Sequence, residues 1–391
     1  MTEVPTGTAG VEAFREAVAE AEQLVANPPF EVSEQDLAEG YDYLAGSIRS
    51  SLQMAFDYDL EHPVLINPTH QYARQGLDNP DAVYFNAYLA PDASYVVSGV
   101  RGSTADLSFQ IMSGSYSPEG APETLAAFDD RELDIAVDGS FEWRFGPELG
   151  LQKGSTLIVR EVYDDWNAEE RGRLRIQRLD TAGQPRPTVT PERIAKRYGV
   201  AGKMLVGRIK TGFAFPEWFT YKEPVNTLTV PKSTPGGLAS QFSSIGHYSL
   251  EEDPGNEQAM VVTVPVAECA YQAIQIGSRW YVSTDYEHHQ TSLSRAQSQA
   301  DPDGMLRYVI SERDPGVANW LETCGHPQGV MMLRWQRLSR SLGAADGPVV
   351  EVVPFDSLAS RTDLDPQRIS TDEYTARIAD RQVGIARRMI S

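Results

Sequence analysis

The segment from Asp314 to Arg334, DPGVANWLETCGHPQGVMMLR, gathers two carboxylates, an imidazole, a thiol, two amides, an indole and a guanidinium. Cleaving a glycosidic or similar bond needs one carboxylic acid to protonate the leaving group and a second group to attack or to activate water. Asp314 and Glu322 have the chemistry for that pair, and His326 adds an imidazole; these three are the candidate catalytic residues. Trp320 offers a stacking platform, with Asn319 and Arg334 as hydrogen-bonding orienters, so these three are candidate substrate-binding residues. The plainer reading of the same letters is a turn at Asp314-Pro315-Gly316, a core indole and a strand-end ion pair.

Three further groups carry chemical potential. Cys324 stands one residue from His326 and offers a thiol nucleophile with an imidazole base, although sequence neighbours seldom hold that geometry. His288 and His289 follow Asp285, but adjacent residues on a strand face opposite ways. A metal there would require a distant ligand such as His247 or His326, and no metal is expected. Tyr84, Asn86 and Tyr88 share one face of an expected strand, with Asn79 and Asp81 close by. Tyr84 and Asn86 could bind a hydroxylated ligand, or this face could be the solvated or domain-facing side of a sheet.

The elements that would position these residues are mainly strands. Asp303-Gly304 is a turn dipeptide, followed by Leu306, Tyr308 and Ile310 in period-two alternation and, after the polar excursion, by the apolar run Val330 to Leu338. Earlier in the chain, Leu133, Ile135 and Val137 lead to Asp138-Gly139 and then Phe141, Trp143 and Phe145, which reads as a hairpin. Laid side by side, the two stretches match, with Gly154 and Leu157 to Arg160 corresponding to Gly329 and Met331 to Arg334. The later copy is roughly ten residues longer between its strands, as an insertion into a repeat's loop would be. Further strands are expected at Val83 to Leu89, Tyr95 to Val100, Leu107 to Met112, Met260 to Val264, Tyr271 to Ile276 and Trp280 to Ser283.

The combination of Asp303-Gly304, Asp314-Pro315-Gly316, Asn319-Trp320-Leu321, Gly325-His326 and Arg334-Trp335 resembles the C-terminal part of a bacterial family, domain of unknown function 1214. The likeness spans about Tyr271 to Arg337 and weakens upstream. It implies a β-rich protein of two jelly-roll sandwiches, with no established reaction.

Helices bracket these strands. Val11, Phe14, Val18, Ala21 and Val25 predict an amphipathic helix over about 9–26, lying on the first sandwich or on a partner. Ser33 caps a second helix carrying Leu37 through Phe56 on one face. Thr190-Pro191-Glu192 opens a third, which Gly199 and Gly202 would interrupt, and Pro216 to Pro235 reads as an extended crossover. Ser370 and Glu373 form a capping box before a last helix. The fold expected is mainly β, two tandem jelly-roll-like antiparallel sandwiches with flanking helices. Its divisions are an N-terminal helical segment (1–62), a first sandwich (63–180), a helix with crossover (181–240), a second sandwich (241–345) and a helical tail (346–391).

Composition narrows the function. A formal charge of −21 repels nucleic acid and anionic membranes, and no cluster of Lys and Arg in the sequence offsets it. The start lacks a basic and then apolar leader, no apolar run is long enough to span a bilayer, and two cysteines make no disulfide framework, so a cytoplasmic location is expected. Walker, GxGxxG, GxSxG and HExxH motifs are missing, so no nucleotide or other cofactor is expected. The expectation is an enzyme, hydrolase or lyase, acting on a small hydroxylated or ring-containing substrate by acid/base chemistry at the second sandwich. The alternative is a non-catalytic ligand-binding or oligomeric structural protein, and a homo-oligomer is compatible with either.

Overall fold

Two amphipathic helices, α1 (Gly7–Ala26) and α2 (Glu34–Asp57), begin the fold in a computed structural model that describes residues 7–57, 59–233, 238 and 240–390. Their apolar faces meet a third helix, α3 (Pro191–Phe219), and not the first sheets: Ala21, Val25, Tyr43 and Leu44 pack with Leu205, Ile209 and Trp280. Gly199 and Gly202 do not break α3. At Gly202 a Cβ would stand 2.9 Å from that of Ala17, so the missing side chain serves the close approach of α1.

The first strands are β1 (Ala82–Tyr88), β2 (Tyr95–Val100), β3 (Asp106–Met112), β4 (Thr124–Asp129), β5 (Ser140–Phe145), β6 (Thr156–Val162) and β7 (Arg173–Arg178). They form two antiparallel sheets, ordered β1-β6-β3-β4 and β5-β2-β7. One core, with Tyr95, Val97, Phe109, Ile111, Phe141, Leu157 and Val159, lies between them. The expected hairpin is not formed. β5 pairs with β2, while Leu133 and Ile135 reach the core from an irregular segment and Val137 is fully exposed.

After α3 come β8 (Thr227–Leu228), β9 (Lys232–Ser233), β10 (Phe242–Ser249), β11 (Gln258–Pro265), β12 (Tyr271–Gly277), β13 (Ser292–Ser294), β14 (Met305–Ser311), β15 (Trp320–Glu322), β16 (Gln328–Gln336) and β17 (Val349–Pro354). One sheet runs β13-β12-β16-β10-β8, with β9 also on β10; the other runs β15-β14-β11-β17. A second core, including Met260, Val262, Ile274, Leu306, Tyr308, Leu333 and Trp335, lies between these two.

The order of the central strands is the same in both halves, the second adding β8, β9 and β15 at its edges. β6 sits between β1 and β3 as β16 sits between β10 and β12, and β2 sits between β5 and β7 as β11 sits between β14 and β17. β14 and β16 therefore belong to opposite sheets and do not pair with each other. Between them lies β15, which adds in parallel to β14 and has no counterpart in the first half.

Several expected boundaries move. Trp280 to Ser283 forms a turn, with Tyr281 at φ 57°, not a strand. Pro216 to Phe219 complete α3, and the stretch after it lends β8 and β9 to a sheet edge; Pro235 lies outside the described residues. β17, read as part of a helical tail, hydrogen-bonds along β11, and the last helix, α4 (Thr371–Ile390), starts only after it.

The seam between the halves is polar and buried. Asp81 accepts hydrogen bonds from Tyr271 (2.6 Å) and Trp166 (2.7 Å), and α4 lies across the seam with Arg381 and Arg388 over the Trp166 ring. The fold is thus mostly antiparallel β with flanking helices, and no helix of the described residues is long and apolar enough to cross a membrane.

Candidate functional site

The start of α2 meets the loop after β15, and a cleft opens between them. Ser33 and Asp36 form a reciprocal cap: the Asp36 N–H donates to Ser33 Oγ (3.0 Å), and the Ser33 N–H and hydroxyl donate to Asp36 Oδ2. This capping leaves Asp36 Oδ1 free to face His326 Nδ1 at 3.2 Å, while Glu39, one turn on, faces His326 Nε2 at 2.9 Å. Trp280 closes the join by donating from Nε1 to the Asp36 carbonyl (2.7 Å).

Burial would push the His326 imidazole down, but its two carboxylate partners outweigh that and raise it to about 9. Burial likewise works against the Asp36 carboxylate, yet hydrogen bonds from His326 and Ser33 hold it at about 2. His326 is thus a buried cation bridging two acids.

Residues 323–326 make a tight turn in which the His326 N–H donates to the Thr323 carbonyl (3.2 Å). Cys324 and Gly325 both take positive φ, 55° and 78°, as a type I′ turn requires. A left-handed cysteine costs about 1–2 kcal/mol. The conformation is held from both sides: Gln35 Nε2 donates to the Cys324 carbonyl (2.7 Å), and Glu312 accepts from the Thr323 hydroxyl (2.6 Å) and the Gly325 N–H (2.7 Å).

The third wall is the loop between β12 and β13. The Glu322 N–H donates to the Gln290 carbonyl (3.0 Å), which sets β15 beside that loop and brings Glu322 Oε2 to 2.9 Å from His289 Nδ1. The Tyr374 hydroxyl of α4 reaches the same carboxylate oxygen at 3.4 Å. One ligand-capable atom from each of His289, Glu322 and Cys324 lies within 4.8 Å of the others. Burial, together with the carboxylates of Glu322 and Glu312, pushes the Cys324 thiol well up. The cleft measures about 530 Å³ and is lined by His289, Glu312, Glu322, Cys324 and His326 with Arg74, Asp285 and the first turns of α2.

Among solved structures, the chain is similar to an uncharacterised protein from Burkholderia cenocepacia, at 26% identity and a TM-score of 0.76, covering 89% of this chain and 97% of that one. The VPA0106 protein from Vibrio parahaemolyticus also matches, at 12% identity and a TM-score of 0.43, over 86% of this chain and 100% of that one. No family model matches the chain, and no curated protein does.

Of the candidate catalytic and substrate-binding residues, Glu322 and His326 line the cleft, as do Asp285, His289 and Cys324 from the other groups, whereas Asp314, Asn319, Trp320, Arg334, Tyr84 and Asn86 do not. Asp314 Oδ1 accepts from the Gly316 N–H (2.7 Å) and closes an exposed turn. Asn319 is fully buried and latches backbone, donating to the Gln299 and Arg307 carbonyls. Trp320 packs with Val309, Val317 and Leu358 and donates to the Ser311 carbonyl (2.9 Å). Arg334 binds the Leu77 carbonyl (2.7 Å) and the Gln275 side chain. Tyr84 is half-buried with its hydroxyl accepting from the Asn79 N–H (2.9 Å), and Asn86 exchanges backbone hydrogen bonds with Ile66. These residues set geometry in place of meeting a ligand in the cleft.

His326 does not pair with the Cys324 thiol, because both its ring nitrogens face acids on α2. Sequence reasoning missed Gln35, Asp36 and Glu39, whose one visible signal was the Ser33 cap. It weighed His289 only as half of a histidine pair, whereas its partners here are a carboxylate and a thiol.

Proposed function

We propose that the protein is an enzyme of the hydrolase or lyase type, acting on a small hydroxylated or ring-containing molecule bound in this cleft. The observation that carries the reading is the 2.9 Å contact between His289 and Glu322 on the wall of a cleft sized for a small molecule. A carboxylate that orients an imidazole leaves the opposite ring nitrogen positioned to take a proton from a hydroxyl or a water. The Tyr374 hydroxyl reaches the Glu322 carboxylate, and the Glu312 carboxylate lines the same cleft. His326 is a positioning residue in this scheme, tying α2 to the turn that bears Cys324.

We further infer that the two halves are tandem jelly-roll-like units derived from one repeat, with β15 and its loop as an insertion into the later copy. The common order of the central strands supports this, as does the resemblance of the 303–335 motifs to domain of unknown function 1214. On this reading the insertion builds one wall of the site, as loops on a rigid scaffold commonly do.

Incubating the purified protein with a cell metabolite extract, followed by mass spectrometry, tests the reading. Loss of a polar compound, time-dependent and proportional to protein, is expected. Retention of a compound without its conversion would instead make the cleft a binding site, and the enzymatic reading would fall.

A further inference from the structure

We propose that His289, Glu322 and Cys324 bind a divalent transition metal of the zinc or cobalt(II) class, with one coordination position open to the cleft. Among the described residues these three form the one group of three or more His, Cys, Asp and Glu side chains that could hold such an ion. In a tetrahedral zinc site the metal–ligand bonds are about 2.0–2.3 Å, which puts neighbouring donor atoms roughly 3–4 Å apart. His289 and Glu322 already stand 2.9 Å apart, and all three donors fall within 4.8 Å. Closing on an ion thus requires the Cys324 sulfur to draw in toward the other two donors and exchange of the His289–Glu322 hydrogen bond for two metal bonds.

The donor set also selects the metal. An imidazole, a carboxylate and a soft thiolate together suit zinc and cobalt, and disfavour magnesium and calcium, which take oxygen ligands. The surroundings favour a cation: Glu39, Asp42, Asp285 and Glu312 line the same cleft, against Arg74 and the His326 imidazolium as its positive groups. The Tyr374 hydroxyl beside Glu322 and the Gln35 amide on the Cys324 carbonyl supply outer contacts of the kind that orient metal ligands. His289 is part-exposed, so the ion would face the cleft with a position left for water or substrate, the arrangement of a catalytic and not a structural site.

Binding is balanced by loss of the thiol proton: the metal–sulfur bond replaces the S–H bond, and one proton leaves to solvent. The inference deepens the proposed reaction and shares its location. Water on the metal, in place of one held by the imidazole alone, would then lose the proton.

The test is titration of the full-length apoprotein with cobalt(II), followed by absorption spectroscopy. One equivalent per chain should produce a thiolate-to-cobalt charge-transfer band in the near ultraviolet with intense tetrahedral d–d bands. The protein has two cysteines, and Cys269 lies elsewhere, its sulfur on the Ala267 and Tyr271 carbonyls. Cys269→Ser should therefore keep the band and Cys324→Ser should lose it. His289→Ala, with its fold checked by circular dichroism, should weaken cobalt binding by more than about tenfold, since outer-shell changes alone cost that much. No band in the parent protein, or a band that survives Cys324→Ser, overturns the proposal. Metabolite turnover that persists after chelation would overturn the metal while leaving the proton-transfer reading intact; a cobalt band with no turnover would do the reverse.

Discussion

His326 Nδ1 stands 3.2 Å from Asp36 Oδ1, a contact between residues 290 positions apart in the chain. It joins the first helix turn of α2 to the turn that follows β15, so the cleft exists only while these two elements are held together. Because the ring is buried and both its nitrogens face carboxylates, removing it leaves Asp36 buried beside a lost cation. His326→Gln should cost about 2–4 kcal/mol, read as a lower urea midpoint at unchanged slope. An unchanged midpoint would mean that α2 is held by packing alone.

Trp280 makes the companion contact. Its ring packs against Tyr43 and Phe30, and its Nε1 donates to the Asp36 carbonyl. Trp280→Ala should lose about 3–5 kcal/mol through the cavity left behind. It should also speed hydrogen exchange in α2 well before the two sheet cores exchange. Uniform acceleration through every strand would contradict this placement.

Much of this arrangement was legible in the sequence, and the rest was hidden for identifiable reasons. Alternation at Phe141 to Phe145 and at Leu306 to Ile310 located β5 and β14, because a strand with one face on a core writes its period into the residues. Their partners were not legible, since pairing is a long-range choice: β5 joined β2 and left Leu133 to Val137 irregular. Gly202 looked like a helix breaker because the residue that needs its missing Cβ, Ala17, lies on another helix. Within the site, Glu322 and His326 stood out by type, whereas Asp36 looked like the ordinary acidic first turn of a capped helix and Glu39 like one more acid a turn further on. Asp314, Asn319 and Trp320 drew notice for the same polarity and aromaticity that here serve a turn, a backbone latch and a core.

Asp106 gives a pH-dependent prediction. Burial raises its carboxyl to about 7, and neither oxygen has a hydrogen-bond partner among the described residues; Arg337 Nε lies 3.9 Å away, while Asp129 and Asp130 add repulsion. A carboxyl raised in the folded state costs nothing below its unfolded value, because both states are then protonated. As pH rises, the unfolded chain ionises first, so stability falls between about pH 4 and about pH 7 and stays low above that. Asp106→Asn removes the titration while Arg337 keeps Asp130 at 3.1 Å. The variant should match the parent near pH 4 and exceed it by on the order of 3 kcal/mol near pH 8. Equal urea midpoints at both pH values would contradict the assignment.

Gly325 bears on the shape of the site. A Cβ there would meet Gln35 Oε1 at 2.5 Å, and its φ of 78° is left-handed. Gly325→Ala should destabilise by roughly 1–2 kcal/mol and loosen the turn that aims Cys324. Thiol labelling under native conditions should then accelerate at Cys324 but not at Cys269. Equal labelling rates in parent and variant would show that the turn tolerates the side chain.

The central claim is that chemistry resides at His289 and Glu322 in the cleft, and two carboxylate-to-amide substitutions separate it from its rival. Once a depleted metabolite is in hand, its turnover should be measured for Glu322→Gln and for Asp314→Asn in the same assay. The account predicts a loss of about 100-fold or more for Glu322→Gln and parent-like turnover for Asp314→Asn. Parent-like turnover in Glu322→Gln would contradict it.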